Sequence, residues 1–389
     1  MPANTIFDAI VVGVGTMGSS TCYYLSKRGY KVLGIDQFDV PHEQGSHTGQ
    51  SRIIRKAYFE HPDYVPLLDR AYQLWQEFEK ETATKFYYPT GLLYAGTVGC
   101  EMIEGVKLSA SLYNIPIENI DPVSARNRFP QFEFPPDFEI LFEADAGFVT
   151  PERAIANYKD YAEKNGAIIS TREKVLEWRL QGDKIAVITD HATYYSHKLI
   201  ITAGAWAGKV IAQLAGKITV TRQFIAWMNP KNEQGFSLNE FPCWMIADNT
   251  KPGCYYGFPT LPTSTFGQPA GLKMAHHFPG EATDPDHVNP ETRQEDLRDM
   301  AYLIDHYFKD QFGAPASTKT CLYANSPDEN FIIDKLPGYN DSVFVACGFS
   351  GHGFKFMPVV GEILADLAME GKSKLPIGFL SATRFNVIS

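Results

Sequence analysis

The segment Asp8-Ala9-Ile10-Val11-Val12-Gly13-Val14-Gly15-Thr16-Met17-Gly18-Ser19 is a short apolar run followed at once by glycines in G-x-G-x-x-G spacing. Residues 22–25 continue as one face of a helix, Gly29 ends it, and residues 31–35 read as a second strand closing on Asp36. Strand, helix and strand within 40 residues make a βαβ start. In such a unit Gly13 makes the tight turn, Gly15 lets a pyrophosphate approach the backbone, and Gly18 lets helix and strand pack closely. The helix N-terminus offers free N–H groups and a positive dipole end to phosphates. Asp36 stands where a carboxylate accepts hydrogen bonds from ribose hydroxyls. Together these features point to a dinucleotide; the alternative is a tight strand-to-helix turn that holds nothing.

The chain around this unit has 389 residues, enough for two domains. With 44% hydrophobic and 21% charged residues it has the composition of a globular protein with a sizeable core. A net charge of −10 argues against nucleic acid or an acidic membrane surface as partner. An anionic substrate would then need local cations to hold it. The six cysteines show no CxxC pair and no zinc spacing, and are expected to be reduced thiols, with no metal site. A strand begins after about seven residues, leaving no room for a signal peptide, and no apolar run approaches membrane-spanning length. The final Asn386-Val387-Ile388-Ser389 is not a usual peroxisomal address. A cytoplasmic protein is expected.

The organisation is interleaved. Residues 37–55 are polar and rich in Gly and His, a long loop of the functional kind. Apolar residues at helical spacing predict helices over 64–82, 102–113 and 124–129, with strands over 87–95 turning at Gly91. The chain returns to the first domain near Ala146-Gly147-Phe148-Val149, followed by a helix from Pro151 to about 165 and short strands at 167–170, 175–179 and 185–189. Lys198-Leu199-Ile200-Ile201-Thr202-Ala203-Gly204 is a buried strand entering a turn, which either approaches a bound cofactor or is a simple corner. Between 219 and 320 aromatic and Pro-rich strands suggest an antiparallel sheet roofing a pocket, with a helix over 292–307. The remainder reverts to an α/β pattern, with a strand over 343–346, a glycine-rich turn, and a helix over 359–369.

The expected class is thus α/β, α+β overall. A Rossmann-like FAD-binding domain of glutathione-reductase type (1–85, 146–218 and 320–389) is interleaved with an antiparallel-sheet substrate domain (86–145 and 219–319). Nicotinamide dehydrogenases usually keep the dinucleotide domain contiguous, so interleaving favours FAD over NAD by fold analogy.

Four clusters carry possible chemistry. In Gly45-Ser46-His47-Thr48-Gly49-Gln50-Ser51-Arg52-Ile53-Ile54-Arg55, the two arginines would share one face on a helical turn and serve anions on two sides, or else are a solvated pair. In Gly271-Leu272-Lys273-Met274-Ala275-His276-His277, a strand puts Lys273, Ala275 and His277 on one face and Met274 and His276 on the other. Turned to a flavin, Lys273 and His277 would supply a cation and a proton-handling group; turned to solvent, neither. In Lys319-Thr320-Cys321-Leu322-Tyr323, the neighbouring cation favours a thiolate, although a lone Cys in a strand is more often a small buried apolar residue. In Cys347-Gly348-Phe349-Ser350-Gly351-His352-Gly353-Phe354-Lys355-Phe356, backbone N–H groups can face a carbonyl edge and Lys355 can clamp a carboxylate; a ligand-free turn is the alternative.

In this order and spacing, together with Gly257-Phe258-Pro259 and Asp328-Glu329-Asn330-Phe331-Ile332-Ile333-Asp334, the clusters resemble, essentially end to end, the monomeric sarcosine oxidase and N-methyltryptophan oxidase family. The resemblance implies an FAD-dependent amine oxidase acting on CH–NH bonds, with FAD bound covalently by a thioether from Cys321 to the 8α carbon. It implies that Arg55 and Lys355 bind the substrate carboxylate, that Lys273 promotes reaction with O₂, and that Arg52 lies against the flavin. His277, Tyr256 and Tyr323 would line the substrate pocket, with Lys273, His277, Arg52 and Tyr256 the catalytic set. Gly13, Gly15, Gly18, Asp36, Ser46, His47, Arg52, Val175, Cys321, Gly348, Gly351, Gly353 and Lys355 would form the cofactor site. The implied reaction takes a secondary α-amino acid such as sarcosine to an imine and O₂ to H₂O₂, by a monomer with no partner beyond amino acid and O₂. Electron transfer to another carrier, or a glycated or bulkier amino acid, stays open. Two departures stand out: Thr48 replaces the second histidine of Gly-Ser-His-His-Gly-Asp-Thr-Arg, with Gln50 and Ser51 following, and residues 260–270 are longer than in sarcosine oxidases.

Overall fold

Residues 5–278 and 280–385 are described in the computed structural model of the chain; the four residues Asn386 to Ser389 lie outside them. Two large sheets and one small one carry the architecture. The first has eight strands, ordered Val175–Gln181, Lys184–Thr189, Thr193–Ile201, Ile6–Val12, Val32–Ile35 and Ile168–Ser170. Val343–Cys347 pairs beside Thr193–Ile201, and Ile332–Lys335 lies beyond it.

The parallel registers explain where a ligand fits. Val12 is level with Ile35 and with Ile201, and Ile201 with Val345, so four carboxyl ends finish together. They deliver Gly13, Asp36, Thr202 and Gly348 to one crevice, the place where open α/β sheets bind ligands. The helices Thr16–Lys27 and Met357–Glu370 pack side by side through small residues. At Gly361 an added Cβ would lie 2.4 Å from the Ser20 hydroxyl, and Ser20 donates to the Met357 carbonyl at 2.8 Å.

The second sheet has nine strands: Glu281–Ala282, Thr219–Pro230, Leu272–His277, Cys254–Gly257, Cys243–Ala247, Leu92–Thr97, Phe138–Glu143 and Glu118–Ile120, with Phe312–Asn325 also on Thr219–Pro230. It is antiparallel as expected, except that Cys243–Ala247 runs parallel to Leu92–Thr97, because the two come from separate chain passages rather than a hairpin. The expected boundary between 319 and 320 falls inside the continuous strand Phe312–Asn325.

Strand alternation gives this sheet two different faces. Phe224, Ala226, Met228, Leu272, Met274 and Tyr255 pack against the helix Gln294–Tyr307. Ile225, Trp227, Ala275, Tyr256, Cys321 and Tyr323 face the other way. The expected split of residues 271–277 is observed: Lys273 lies on the second face, while His276 contacts Asp299 of the helix at 2.9 Å.

Between the large sheets sits a three-stranded one, with Gly147–Val149 between Arg52–Ile54 and Tyr87–Tyr88. The expected loop 37–55 therefore ends in a strand. No helix among the described residues is long and apolar enough to cross a membrane. All six cysteines are buried free thiols.

Candidate active site

A cavity of 700 Å³ opens at the carboxyl ends of the parallel strands. Of the expected cofactor residues, Gly13, Gly15, Asp36, Ser46, His47, Arg52, Val175, Gly348, Gly351 and Gly353 line it. Gly13 has φ +86° and sits so tightly on the neighbouring strand that an added Cβ would lie 2.6 Å from the Thr202 carbonyl oxygen. Gly18 would place a Cβ 1.8 Å from the Gly13 oxygen, whereas Gly15 has open space where its Cβ would stand. Gly13 and Gly18 thus do the turn and packing work read from their spacing, and Gly15 leaves the backbone open at the helix N-terminus.

Asp36 is 5% exposed and anchors the glycine turn: one oxygen accepts from Val14 N–H at 2.7 Å, the other from Phe38 N–H at 2.9 Å. Burial raises its carboxyl to about 6 against these two bonds. His47 is buried, and its Nε2 has no hydrogen-bond partner while the ring lines the cavity. Burial lowers it to about 4, so it enters the site neutral.

The helical-turn expectation for Arg52 and Arg55 is corrected. Arg52 begins a strand and Arg55 follows its end, and residues three apart on extended backbone point to opposite sides. Arg52 faces the cavity, donating to the carbonyls of Ser46 (2.9 Å), Thr48 (2.6 Å) and Ser51 (2.8 Å). Arg55 turns the other way and is 2% exposed. Its guanidinium lies 4.2 Å from the centroid of the Tyr58 ring and 4.4 Å from that of Phe59, and it donates to both oxygens of Glu60 at 2.6 and 2.7 Å.

Lys355 reaches the same tyrosine from the other end of the chain. Its Nζ donates to the His352 carbonyl at 2.7 Å and to the Tyr58 hydroxyl at 3.5 Å. Burial and the nearby Arg55 lower it to about 7, with Glu60 opposing. Glu60 is held at about 2, the charges of Arg55, His352 and Lys355 outweighing its burial. His352 Nε2 faces the Glu329 carbonyl at 3.0 Å, which can only accept, so Nε2 carries the proton and Nδ1 accepts from Tyr58 O–H at 2.5 Å. Lys355, Tyr58 and His352 are thereby oriented as one chain. No sequence signal distinguished Tyr58, Glu60 or His352.

On the sheet above, Lys273 is buried and donates to the carbonyls of Gly49 (2.7 Å) and Ser51 (2.5 Å). Burial first, then Arg52, pull its pKa well below the usual lysine range. His277 meets the Tyr323 hydroxyl at 3.2 Å and is lowered to about 4 by burial. Tyr256 lies in the same buried cluster as Tyr323, and burial raises its hydroxyl against the charge of Arg52. The Gly348–Gly353 turn presses on the same tyrosine, because Gly351 (φ +80°) would place a Cβ 2.3 Å from the Tyr323 ring.

Cys321 is buried in register with Gln223. Of the two readings of Cys321, burial favours the small buried residue over the thiolate: it raises the thiol, outweighing Arg52, Lys273 and Lys319, and Lys319 pairs with Glu43 at 2.8 Å. The expected residues therefore fall into two adjoining groups, one around the cavity and one around Tyr58 and Tyr323.

A glycine-turn βαβ crevice joined to a second, cation-lined compartment suits a dinucleotide-dependent oxidoreductase, and the chain belongs to the FAD dependent oxidoreductase family, whose model matches residues 8–367. It is 37% identical over 379 residues to the monomeric sarcosine oxidase of Streptomyces avermitilis, covering 97% of each chain. It is 31% identical over 381 residues to N-methyl-L-tryptophan oxidase of Salmonella dublin, covering 98% of this chain and 99% of that one. The solved structure of NikD, an amino acid oxidase of nikkomycin biosynthesis, superposes with a TM-score of 0.84 at 23% identity, covering 97% of this chain and 98% of that one.

The residues present fit FAD. The cavity has open space at Gly15 on the N-terminus of the helix Thr16–Lys27, and the unpartnered Nε2 of His47 in its wall is available to a polar group of a ligand.

Proposed function

We propose that this protein oxidises a secondary α-amino acid, N-methylated or cyclic and of the sarcosine type, to an imine, with O₂ reduced to H₂O₂. The observation that carries the reading is the meeting of Arg55 and Lys355, 300 positions apart, at the Tyr58 ring, 4.2 and 5.0 Å from its centroid, beside the cavity for FAD. Two buried cations, of which only Arg55 is paired with a carboxylate, form a receptor for a second carboxylate.

Residues 1–85, 146–218 and 320–389 are assigned to the cofactor half and 86–145 with 219–319 to the substrate half, the strand Phe312–Asn325 joining the two. Gly13, Gly15 and Gly18 with the following helix hold the pyrophosphate, Asp36 the ribose, Val175 the adenine end, and Ser46, His47, Arg52 and the Gly348–Gly353 turn the ring end. Cys321 would be the residue that holds the 8α carbon as a thioether, and Arg52, Lys273 and Lys319 each favour loss of its thiol proton. FAD supplies the two-electron acceptor and hands the electrons on to O₂.

The remaining work belongs to side chains. Arg55 and Lys355 hold the substrate carboxylate and so place the C–N bond. His277 is neutral above about 4, so it adds no positive charge and leaves a neutral amine beside it undisturbed. Tyr256 and Tyr323 wall the pocket. Lys273 fixes a cation where negative charge grows on O₂. The protein is proposed to act as a monomer in the cytoplasm.

Oxygen-uptake assays over sarcosine, N-methyl amino acids, proline, pipecolate and glycated amino acids, with peroxide measured per turnover, test the proposal. One peroxide per secondary amine consumed is expected. Turnover only with an artificial electron acceptor would overturn the assignment to O₂.

A further inference from the structure

The Lys273 ammonium is held by the carbonyls of Gly49 and Ser51, the two residues flanking Gln50. Gln50 itself has φ +67°, a left-handed turn within the 49–51 segment. Two sets of bonds fix that turn. The Glu152 carboxylate accepts from Gly49 N–H at 2.7 Å and from Gln50 N–H at 3.2 Å. The Gln50 side chain is fully engaged: its Oε1 accepts from Trp227 Nε1–H at 2.9 Å, and its Nε2 donates to the carbonyls of Gly267 (2.8 Å) and Pro269 (3.0 Å). Trp227 stands in register with Lys273 on the adjoining strand, so the ring that grips Gln50 and the ammonium gripped by its neighbours are cross-strand partners.

The segment bound by Gln50 belongs to residues 260–270, which lead into the strand Leu272–His277 that carries Lys273. It is fastened elsewhere by Arg153, which donates to the Thr265 carbonyl at 2.6 Å, and by Phe266, which packs on Tyr88 with ring centroids 5.1 Å apart. Among the described residues, Gln50 is the side chain that links this segment to the carbonyls holding Lys273.

We infer that Gln50 is a positioning residue: by tying residues 260–270 and Trp227 to the turn between Gly49 and Ser51, it sets the place of the Lys273 ammonium and through it the rate at which the reduced enzyme reacts with O₂. The inference rests on the proposed oxygen-activating role of Lys273. Gln50 is not among the residues that line the cavity and its side chain is spent on Trp227, Gly267 and Pro269, so its effect is expected in the oxidative half-reaction alone. It also makes the 260–270 segment a tuning element: changes there reach the lysine through two hydrogen bonds.

The experiment compares holoenzyme variants Gln50→Leu, Gln50→Glu, Trp227→Phe and Lys273→Met by three readouts. These are chymotryptic cleavage after Phe266, anaerobic reduction by substrate, and reoxidation by O₂ in stopped flow. Gln50→Leu keeps the same backbone demand as Gln50 but loses all three side-chain bonds. It is expected to be cleaved faster and reoxidised at least tenfold more slowly, with anaerobic reduction within about twofold of the parent. Gln50→Glu keeps the acceptor for Trp227 and loses both donors, so intermediate values are expected. Trp227→Phe removes one bond from the other side and serves if Gln50→Leu does not fold. Slow reoxidation in Lys273→Met with parental reoxidation in the Gln50 and Trp227 variants would overturn the inference alone. Parental reoxidation in Lys273→Met would overturn the oxygen-activating role and the inference with it.

Discussion

Glu60 occupies the position a substrate carboxylate has to contest, and replacing it by glutamine tests the clamp directly. In the free protein both Glu60 oxygens accept from one Arg55 nitrogen, at 2.6 and 2.7 Å, while the guanidinium lies between two aromatic rings and is 2% exposed. Lowering the Glu60 carboxyl from 4.5 to about 2 corresponds to about 3 kcal/mol in favour of its ionised form. An incoming carboxylate must displace or share that interaction. Glu60→Gln keeps the size and a weaker acceptor, so roughly half of the barrier is expected to go, a gain of about 1.4 kcal/mol or tenfold in affinity. The assay is titration of the flavin absorbance with a small carboxylate that carries no oxidisable amine, at pH 6.

A second consequence separates this from a general loosening of the pocket. Breaking a buried ion pair on one side costs about 3–5 kcal/mol, so the ligand-free variant should melt at a lower temperature. Saturating carboxylate should then restore much of the loss, as expected when a ligand binds only the folded state. Glu60 also supports the charge on Lys355, so the gain should shrink as pH rises from 6 to 8. An affinity equal to or below that of the parent at pH 6 would refute the reasoning and make Glu60 a permanent member of the clamp.

Lys355 has a folded pKa lowered to about 7, so it is charged below and neutral above that value. The Kd of the same carboxylate should therefore rise up to tenfold per pH unit above about 7, and Lys355→Met should flatten the profile while weakening binding at pH 6. Cys321→Ser should leave the fold intact and release the flavin into the supernatant on acid precipitation, where the parent keeps it in the pellet; release from the parent would refute the thioether. Gly351→Ala places a methyl 2.3 Å from the Tyr323 ring at φ +80°, at a cost of about 1–2 kcal/mol for the backbone alone. Its Tm should fall and its KM rise, and an unchanged KM would show that Tyr323 does not border the substrate.

What could be read from the chain was local. The Gly13-x-Gly15-x-x-Gly18 turn, the strand after it and Asp36 lie within 40 residues, and their geometry follows from steric rules that any such segment obeys. The two faces of residues 271–277 followed from strand periodicity alone. Arg52 and Arg55 were misjudged because a three-residue strand carries too little pattern to be told from a helical turn; its pairing with Gly147–Val149 decides the matter. In sequence Cys321 stays open between a thiolate and a small buried apolar residue, because proximity to Lys319 says nothing about burial, which dominates its thiol. Tyr58 with His352, 294 positions apart, and Gln50 with Trp227, 177 apart, are matched only by the finished fold, and nothing in either residue type announces its partner.

The strand Arg52–Ile54 then explains why two arginines three positions apart are not duplicates. Extended backbone sends them to opposite sides of the small sheet, and the compensation each finds there differs. Arg52 donates to three carbonyls, and among the described residues it has no carboxylate at ion-pair distance. Dipoles orient a guanidinium without cancelling its charge, so its field acts continuously, pulling down both Cys321 and Lys273. Arg55 is neutralised by Glu60 and becomes available only when that carboxylate is displaced. One cation is thus permanent and faces the cavity; the other is paired with Glu60 and, in the proposed function, is released to a substrate carboxylate. Exchanging the two roles, by placing a glutamate near Arg52 at Thr48, should raise the Cys321 thiol further and impair flavin attachment while leaving carboxylate affinity at Arg55 unchanged.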